Sequence, residues 1–283
     1  MNKLIDGKRI SSEIKEELKK EVEEIVKIGE RAPGLAVVIV GENPASKVYV
    51  RSKVRTCESL GLYSEKYTLE EDVTEEELLK LIEKLNEKEA IDGILVQLPL
   101  PKHIDEDKVI EAIAPNKDVD GFSPVNLGKL ITGKCEFNPC TPYGIMELLK
   151  RYEIELSGKD VVIVGRSNIV GKPLSIMMTN ESATVTLCHS RTKDIKAKTL
   201  EADIVVVAVG IEKFLKEDMV KEGSIVIDVG INRDSNGKLC GDVDFDQVSK
   251  KTKLITPVPG GVGPMTIAML MKNTVKSRKM INN

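Results

Sequence analysis

The chain has 283 residues, 41% hydrophobic and 31% charged, with 42 Lys and Arg against 45 Asp and Glu and a formal net charge of −3. At roughly 100–200 residues per domain that is room for two domains with substantial cores. No broad basic surface is implied, which disfavours nucleic-acid binding. The longest apolar runs, 94–100 and 204–209, are strand-sized rather than bilayer-sized, so no membrane span is expected. The stretch 1–8 is polar and lacks an apolar signal core. Five cysteines at irregular spacing, with no C-x-x-C and only two histidines, argue against a disulfide framework and against a metal site. A reduced, cytoplasmic setting is the simpler expectation.

In chain order, Ile10, Ile14, Leu18, Val22 and Ile25 recur at helical spacing, and Gly29 is a natural stop. Residues 35–40 read as a buried strand, and 44–60 as a helix ended by Gly61. Thr74 with Glu77 forms a capping-box pattern, opening a helix with Leu78, Leu81, Ile82 and Leu85 on its apolar face. Residues 94–98 read as a second buried strand and 105–114 as a short helix. Helix alternating with buried strand predicts a parallel α/β sheet. A loop-rich middle spans 115–142, and the domain boundary is placed there. Thr141 then caps a helix whose first residue is Pro142.

The second half predicts strand 161–164, helix 171–178, strand 184–188, helix 195–200, strand 204–209, a short helix at 216–220 and strand 225–229. This is the βαβαβ pattern of a doubly wound, Rossmann-like dinucleotide fold. A last helix, 265–275, is started by Pro264.

Strand 161–164 runs into Gly165-Arg166-Ser167-Asn168-Ile169-Val170-Gly171-Lys172-Pro173. A glycine turn between strand and helix offers amides and a positive helix end to a pyrophosphate. Ser167 stands where a second glycine is usual, and its side chain is expected to push the pyrophosphate outward. Taken alone, the turn also fits any tight βα connection. The next strand ends in Cys188-His189-Ser190-Arg191-Thr192, with no carboxylate for a ribose 2′-hydroxyl. With Arg166 nearby this suits a 2′-phosphate, so NADP is favoured over NAD. His189 and Arg191 also fit a plain solvated strand end.

In helix 44–60, Tyr49 and Lys53 lie four apart on one face. A tyrosine can stack on a flat substrate, and a lysine held in a cleft can shift towards neutrality and move protons. Gln97 is a polar amide in an apolar strand end, where ligands of parallel sheets sit. Asp118-Val119-Asp120-Gly121-Phe122 places two carboxylates in a turn, one of which could grip an aminopyrimidine-type ring. The Gly/Pro run 257–264 allows close backbone approach to a ligand. Each has a plainer reading: a solvated lysine, a satisfied core glutamine, an Asx turn before glycine, a loop before the last helix.

Taken together, Tyr49-Val50-Arg51-Ser52-Lys53, the run Gly93 to Pro101, Asp118 to Phe122, Asn138 to Pro142, Gly165 to Pro173 and Pro257 to Thr266 closely resemble the bifunctional methylenetetrahydrofolate dehydrogenase/methenyltetrahydrofolate cyclohydrolase family. The likeness covers essentially the whole chain, and the altered dinucleotide turn is the family's own form. The resemblance implies a two-domain α/β fold with an interdomain cleft. Residues 1–140 would form the folate-binding domain, completed by the C-terminal helix in 264–283, and 141–263 the Rossmann-like NADP-binding domain. It implies oxidation of methylenetetrahydrofolate with NADP, then hydrolysis of the methenyl product to formyltetrahydrofolate, in one-carbon metabolism. Lys53 would be the central catalytic residue, Tyr49 would stack on the folate, Gln97 would tune Lys53, and Asp120 would hold the pterin-like ring. Gly165, Arg166, Ser167, Ser190 and Ile231 would contact NADP, and Pro259, Gly260, Gly261 and Val262 would line the folate site. The resemblance also implies a homodimer paired through the cofactor domains. Three rivals stay open at this point: a folate dehydrogenase lacking the hydrolase, another oxidoreductase on this scaffold, and a non-catalytic NADP-sensing protein.

Overall fold

A computed structural model describes residues 3–281. α1 (Gly7–Lys27) buries Ile10, Ile14, Leu18, Val22 and Ile25, and the chain turns out of it where Gly29 takes φ +88°. β1 (Gly34–Val40) is buried throughout. α2 (Pro44–Ser59) follows, and Gly61 at φ +78° reverses the chain. Next comes β2 (Tyr63–Leu69), a strand the sequence reading did not contain. α3 (Glu75–Glu87) starts on the reciprocal bonds of Thr74 and Glu77 and buries Leu78, Ile82 and Leu85. β3 (Gly93–Val96) ends before Gln97, which was expected inside the strand. α4 (Glu106–Ala112) is capped by the Asp105 carboxylate. The stretch expected as loop contains α5 (Pro124–Ile131), capped by Ser123 with Pro124 in its first turn.

α6 (Cys140–Arg151) begins at Cys140, so Thr141 lies inside the helix instead of capping it. Then come β4 (Asp160–Val164), α7 (Gly171–Asn180), β5 (Thr184–Cys188), α8 (Ile195–Glu201), β6 (Ile204–Val207), a single 3₁₀ turn at Glu217–Met219 and β7 (Ile225–Asp228). A small antiparallel pair, β8 (Asn232–Arg233) with β9 (Leu239–Cys240), precedes α9 (Phe245–Lys251) and β10 (Leu254–Ile255). None of these last four was anticipated. α10 (Val262–Ile281) starts ahead of Pro264 and runs past residue 275.

The first sheet has the order β2-β1-β3, with both pairings parallel. Its core joins Ala36, Val38, Ile94 and Val96 to Leu78, Ile82 and Leu85 of α3 and Val109 of α4. The second sheet has the order β10-β7-β6-β4-β5, all parallel. Counted along the chain from β4 this is 2-1-3-4-5, a doubly wound order. Its first strand, β4, has the second on one side and the third, β6, on the other. The connections leave to opposite sides there, which opens a crevice at the carboxyl ends of β4 and β6. Val162, Val164, Val205, Val207 and Val226 form the centre of that core.

By contact the chain divides into two compact units: Glu13–Cys140 with Ile267–Asn283, and Met1–Ser12 with Thr141–Thr266. The opening segment, expected with the folate domain, therefore groups with the dinucleotide sheet. The reason is backbone pairing: Ile5 N donates to Ile255 O at 2.8 Å and Lys8 N to Gly260 O at 2.8 Å. The Asp6 amide also donates to the Tyr152 hydroxyl at 2.7 Å.

Candidate active site

In the unit built on β1 to β3, α2 carries Tyr49 and Lys53 one turn apart. Tyr49 is 36% exposed, whereas Lys53 is buried. The Lys53 Nζ donates to Gln97 Oε1 at 3.0 Å. Gln97 Nε2 donates to Leu98 O at 2.7 Å, which leaves only the amide oxygen to face the lysine. Burial lowers the Lys53 amine from its ordinary value, against an upward pull from Asp120 and Cys140. Burial and a neutral acceptor favour loss of the proton, and the Asp120 charge opposes it.

The Asp118 to Phe122 turn separates its two carboxylates by role. Asp118 is buried and accepts from the amides of Gly121 (3.0 Å), Phe122 (3.3 Å) and Ser123 (2.8 Å) and from Asn126 Nδ2 (2.8 Å). It is the pin of the turn. Gly121 has φ +77°, and a Cβ there would meet Phe137 O at 2.7 Å, so the turn closes only with glycine. Asp120 is thereby held beside Lys53. Burial raises its carboxyl, Lys53 pulls it back down, and Asp118 adds to the rise.

Two further residues belong to this environment and were not assigned roles from sequence. The Cys140 thiol donates to Val119 O at 3.3 Å, and burial with the adjacent Asp120 keeps it well above the usual thiol range. On α10, Asn273 Nδ2 reaches Val119 O at 2.8 Å and Asn138 O at 3.0 Å, tying the turn to the start of α6. A lone asparagine 154 residues away from Val119 carries no local signal of this.

In the other unit, Gly165 has φ +124°, and a Cβ on it would meet Ala208 O at 2.2 Å. A Cβ on Gly171 would meet Gly165 O at 1.9 Å. The turn therefore has no room for side chains at its two ends. The Ser167 hydroxyl accepts from Val170 N at 3.1 Å and lies 3.5 Å from Gly171 N, at the start of α7. The amides of Arg166, Ser167, Asn168 and Ile169 find no hydrogen-bond partner among the described residues, and all four residues are exposed. An unspent run of amides at a helix start fits a pyrophosphate. Gly165 N donates to Cys188 O at 2.9 Å, so the exposed turn with Ser190 and Arg191 stands alongside. Ile231 is exposed beyond β7. The 259–262 segment, also in this unit, packs so closely on α1 that a Cβ on Gly7 would meet Gly261 O at 1.9 Å.

Two buried carboxylates organise the loops at the carboxyl ends of β6 and β7 in the same sheet and were also missed. Asp242 accepts from Val209, Gly210 and Ile211, and Asp228 from Gly230, Asp242 and Val243. Burial pushes the Asp228 carboxyl up to about 6, with the charge of Asp242 adding to the rise and the three amides opposing it. Among the described residues no cluster of three or more His, Cys, Asp or Glu is placed to hold a metal ion.

A doubly wound sheet with an open amide turn, in a chain that also carries a desolvated lysine, defines a two-domain dinucleotide-dependent enzyme with proton-transfer capacity. Relatives make the class specific. The family model described as tetrahydrofolate dehydrogenase/cyclohydrolase, catalytic domain, matches residues 5–120, and that described as tetrahydrofolate dehydrogenase/cyclohydrolase, NAD(P)-binding domain, matches 139–282. The chain belongs to the tetrahydrofolate dehydrogenase/cyclohydrolase family. Bifunctional protein FolD of Agathobacter rectalis is 60% identical over 279 residues, 99% of this chain and 100% of that one. The crystal structure of the bifunctional FolD methylenetetrahydrofolate dehydrogenase/cyclohydrolase from Campylobacter jejuni has a TM-score of 0.96 at 56% identity, covering 98% of this chain and 99% of that one. The Trypanosoma brucei FolD structure, complexed with NADP cofactor and inhibitor, has a TM-score of 0.95 at 40% identity, covering 99% and 98%.

Proposed function

We propose that this enzyme oxidises 5,10-methylenetetrahydrofolate to the 5,10-methenyl compound with NADP, then hydrolyses it to 10-formyltetrahydrofolate. Family membership over nearly the whole chain supports both steps. The observation that carries the hydrolytic half is the buried Lys53 amine, lowered by desolvation and 3.0 Å from Gln97 Oε1.

NADP⁺, when bound, supplies the hydride acceptor for the first step. Gly165, Arg166, Ser167 and Ser190 would hold its phosphates, and Ile231 would line its site. On the folate side, Tyr49 stacks on the ring and Asp120 accepts its N–H donors. These contacts align the one-carbon bridge, the proximity part of catalysis. In the second step water adds to the methenyl carbon and loses a proton. The neutral Lys53 amine takes that proton and returns one to the ring nitrogen as the C–N bond opens. Gln97 accepts from both the ammonium and the amine, so it holds Lys53 in place through the cycle without adding charge. Pro259, Gly260, Gly261 and Val262 complete the proposed folate contacts.

The proposal extends to a homodimer in the cytoplasm. Five free cysteines, three of them buried, are compatible with a reducing compartment. Among the described residues no helix is long and apolar enough to cross a membrane. The deciding experiment is a paired assay, NADPH formation from methylenetetrahydrofolate and loss of the methenyl compound, on wild type and Lys53→Met. Wild type should perform both. Hydrolysis at the full rate in Lys53→Met would overturn the assignment.

A further inference from the structure

We infer that Asp242 is a positioning residue for the dinucleotide: its single carboxylate locks the loops after β6 and β7 together and so sets Ile211 and Ile231 as apolar walls for the nicotinamide end. The inference rests on the NADP-dependent reading above.

The carboxylate is buried and fully used. Oδ2 accepts from Val209 N at 2.7 Å and Gly210 N at 3.0 Å, and Oδ1 from Ile211 N at 2.9 Å and Asn232 Nδ2 at 2.8 Å. Three consecutive amides wrapped on one anion form a nest, with charge-assisted bonds. The chain bearing Asp242 is itself pinned, because Asp228 Oδ1 accepts the Asp242 amide at 2.9 Å and Oδ2 the Val243 amide at 3.0 Å. The two strands of this lock interpenetrate. A Cβ on Gly230 would meet Asp242 Oδ1 at 2.3 Å, and one on Gly241 would meet Asp228 Oδ2 at 1.8 Å.

The locked loops lie where a cofactor must pass. Ala208, at the head of the β6 loop, is the residue whose carbonyl closes on Gly165, so this loop faces the pyrophosphate turn across the crevice. The end of β5 would take the adenosine ribose, which would direct the nicotinamide to the opposite side of the crevice, towards the ends of β6 and β7. Ile211 is 54% exposed and Ile231 50% exposed. Both are large apolar side chains, outside any core, on backbone held by one buried anion. Ile211 gives Asp242 its own amide, and Ile231 precedes the asparagine that Asp242 grips.

The bifunctional chain supplies an internal control, since hydrolysis of the methenyl compound consumes no NADP. In Asp242→Asn the amide oxygen keeps part of the acceptor set and the NH₂ faces other donors. The expected result is a Kd for NADP⁺, by titration calorimetry, raised about tenfold or more. The KM for NADP in the dehydrogenase assay should follow, while hydrolysis stays within about twofold. Asn232→Ala, which removes only the tie to the β7 loop, should raise Kd about threefold, and Ile211→Ser should do likewise. An unchanged Kd in a folded Asp242→Asn overturns the inference. Should that variant not fold, unchanged Kd values in both Asn232→Ala and Ile211→Ser overturn it, and raised values with hydrolysis intact support it. A wild type that binds no NADP⁺ overturns the functional reading as well. One that binds it tightly, yet is indifferent to these changes, overturns this inference alone.

Discussion

Gln97 meets Lys53 through its carbonyl oxygen, at 3.0 Å, because its NH₂ is committed to Leu98 O at 2.7 Å. The lysine thus has a fixed neutral acceptor, and burial lowers its proton affinity. Gln97→Glu places a charge at the same spot. An opposite charge at contact distance raises a lysine by about 1–3 units. The alkaline-rising limb of the hydrolysis profile should therefore move to higher pH. At a fixed pH below that limb the rate should fall about tenfold for each unit moved. The check is kcat/KM for methenyl hydrolysis against pH, and a limb that stays where it was in Gln97→Glu contradicts the role given to Lys53.

Asp120 pulls Lys53 up, so its removal has the opposite sign. In Asp120→Asn the limb should move to lower pH. The same change removes the carboxylate proposed to grip the ring, so the KM for folate should rise about tenfold or more, as for loss of a charged acceptor. Two changes in one variant, a profile shifted down and a weakened KM, separate direct contact from a packing defect. A variant with wild-type KM would leave Asp120 without its proposed substrate contact.

Asp118, one residue from Val119 on the other side, should behave differently. It accepts from three backbone amides and Asn126 in the interior of its unit. Asp118→Ala leaves these donors facing a cavity, at a cost of about 3 kcal/mol or more. The expected result is a lower urea midpoint, with loss of activity following loss of fold. Stability indistinguishable from wild type would show that water replaces the carboxylate.

This pair shows what the sequence could and could not disclose. Asp118 and Asp120 are the same residue type two positions apart, and only the path of the turn buries one under four donors and leaves the other beside Lys53. The long helices and buried strands were legible because periodicity survives in them: the α1 stripe, the Thr74 box, the Val-rich β4 and β6. β2 was not, because Glu65 and Lys66 interrupt its apolar pattern and it lies at a sheet edge, half exposed. α5 was hidden by Asn126 and Gly128, although Ser123-Pro124 is a proper helix start. Lys53, Gln97 and the glycine turn stood out through motif and resemblance. Cys140, Asn273 and Asp242 act through partners distant in sequence or through backbone amides, for which residue spacing has no signature.

Arg166 and Arg191, both exposed beside an amide-lined turn that offers no carboxylate, are the residues proposed to read the 2′-phosphate. A charge-assisted pair with phosphate contributes about 1.5–3 kcal/mol. Arg166→Ala should thus raise the KM for NADP about 10–100-fold and leave the KM for NAD nearly unchanged, with Arg191→Ala smaller but in the same direction. The ratio of the two kcat/KM values is the measurement. A variant that loses NAD and NADP activity in parallel would place Arg166 on the pyrophosphate instead.

Asp228 gives the dinucleotide unit a pH dependence of its own. Its carboxyl is pushed up to about 6 by burial, then by the neighbouring Asp242 charge. An unfolded aspartate titrates near 3.9, so between about pH 4 and 6 the native state holds a proton that the unfolded chain has released. Stability from this group is fully present below the unfolded value and is lost as pH rises through about 6. From a folded value of about 6 the span of two units corresponds to about 3 kcal/mol. Asp228→Asn cannot titrate, so its free energy of unfolding relative to wild type should improve over that window and level off above it, whatever constant difference the lost acceptor introduces. Asp242→Asn, by removing the neighbouring charge, should lower the Asp228 value and shrink the window. The measurement is urea unfolding of the three proteins at half-unit steps from about pH 4 to 7.5. A gap between wild type and Asp228→Asn that stays constant across that range would mean the three amides hold Asp228 ionised throughout, outweighing both burial and the Asp242 charge.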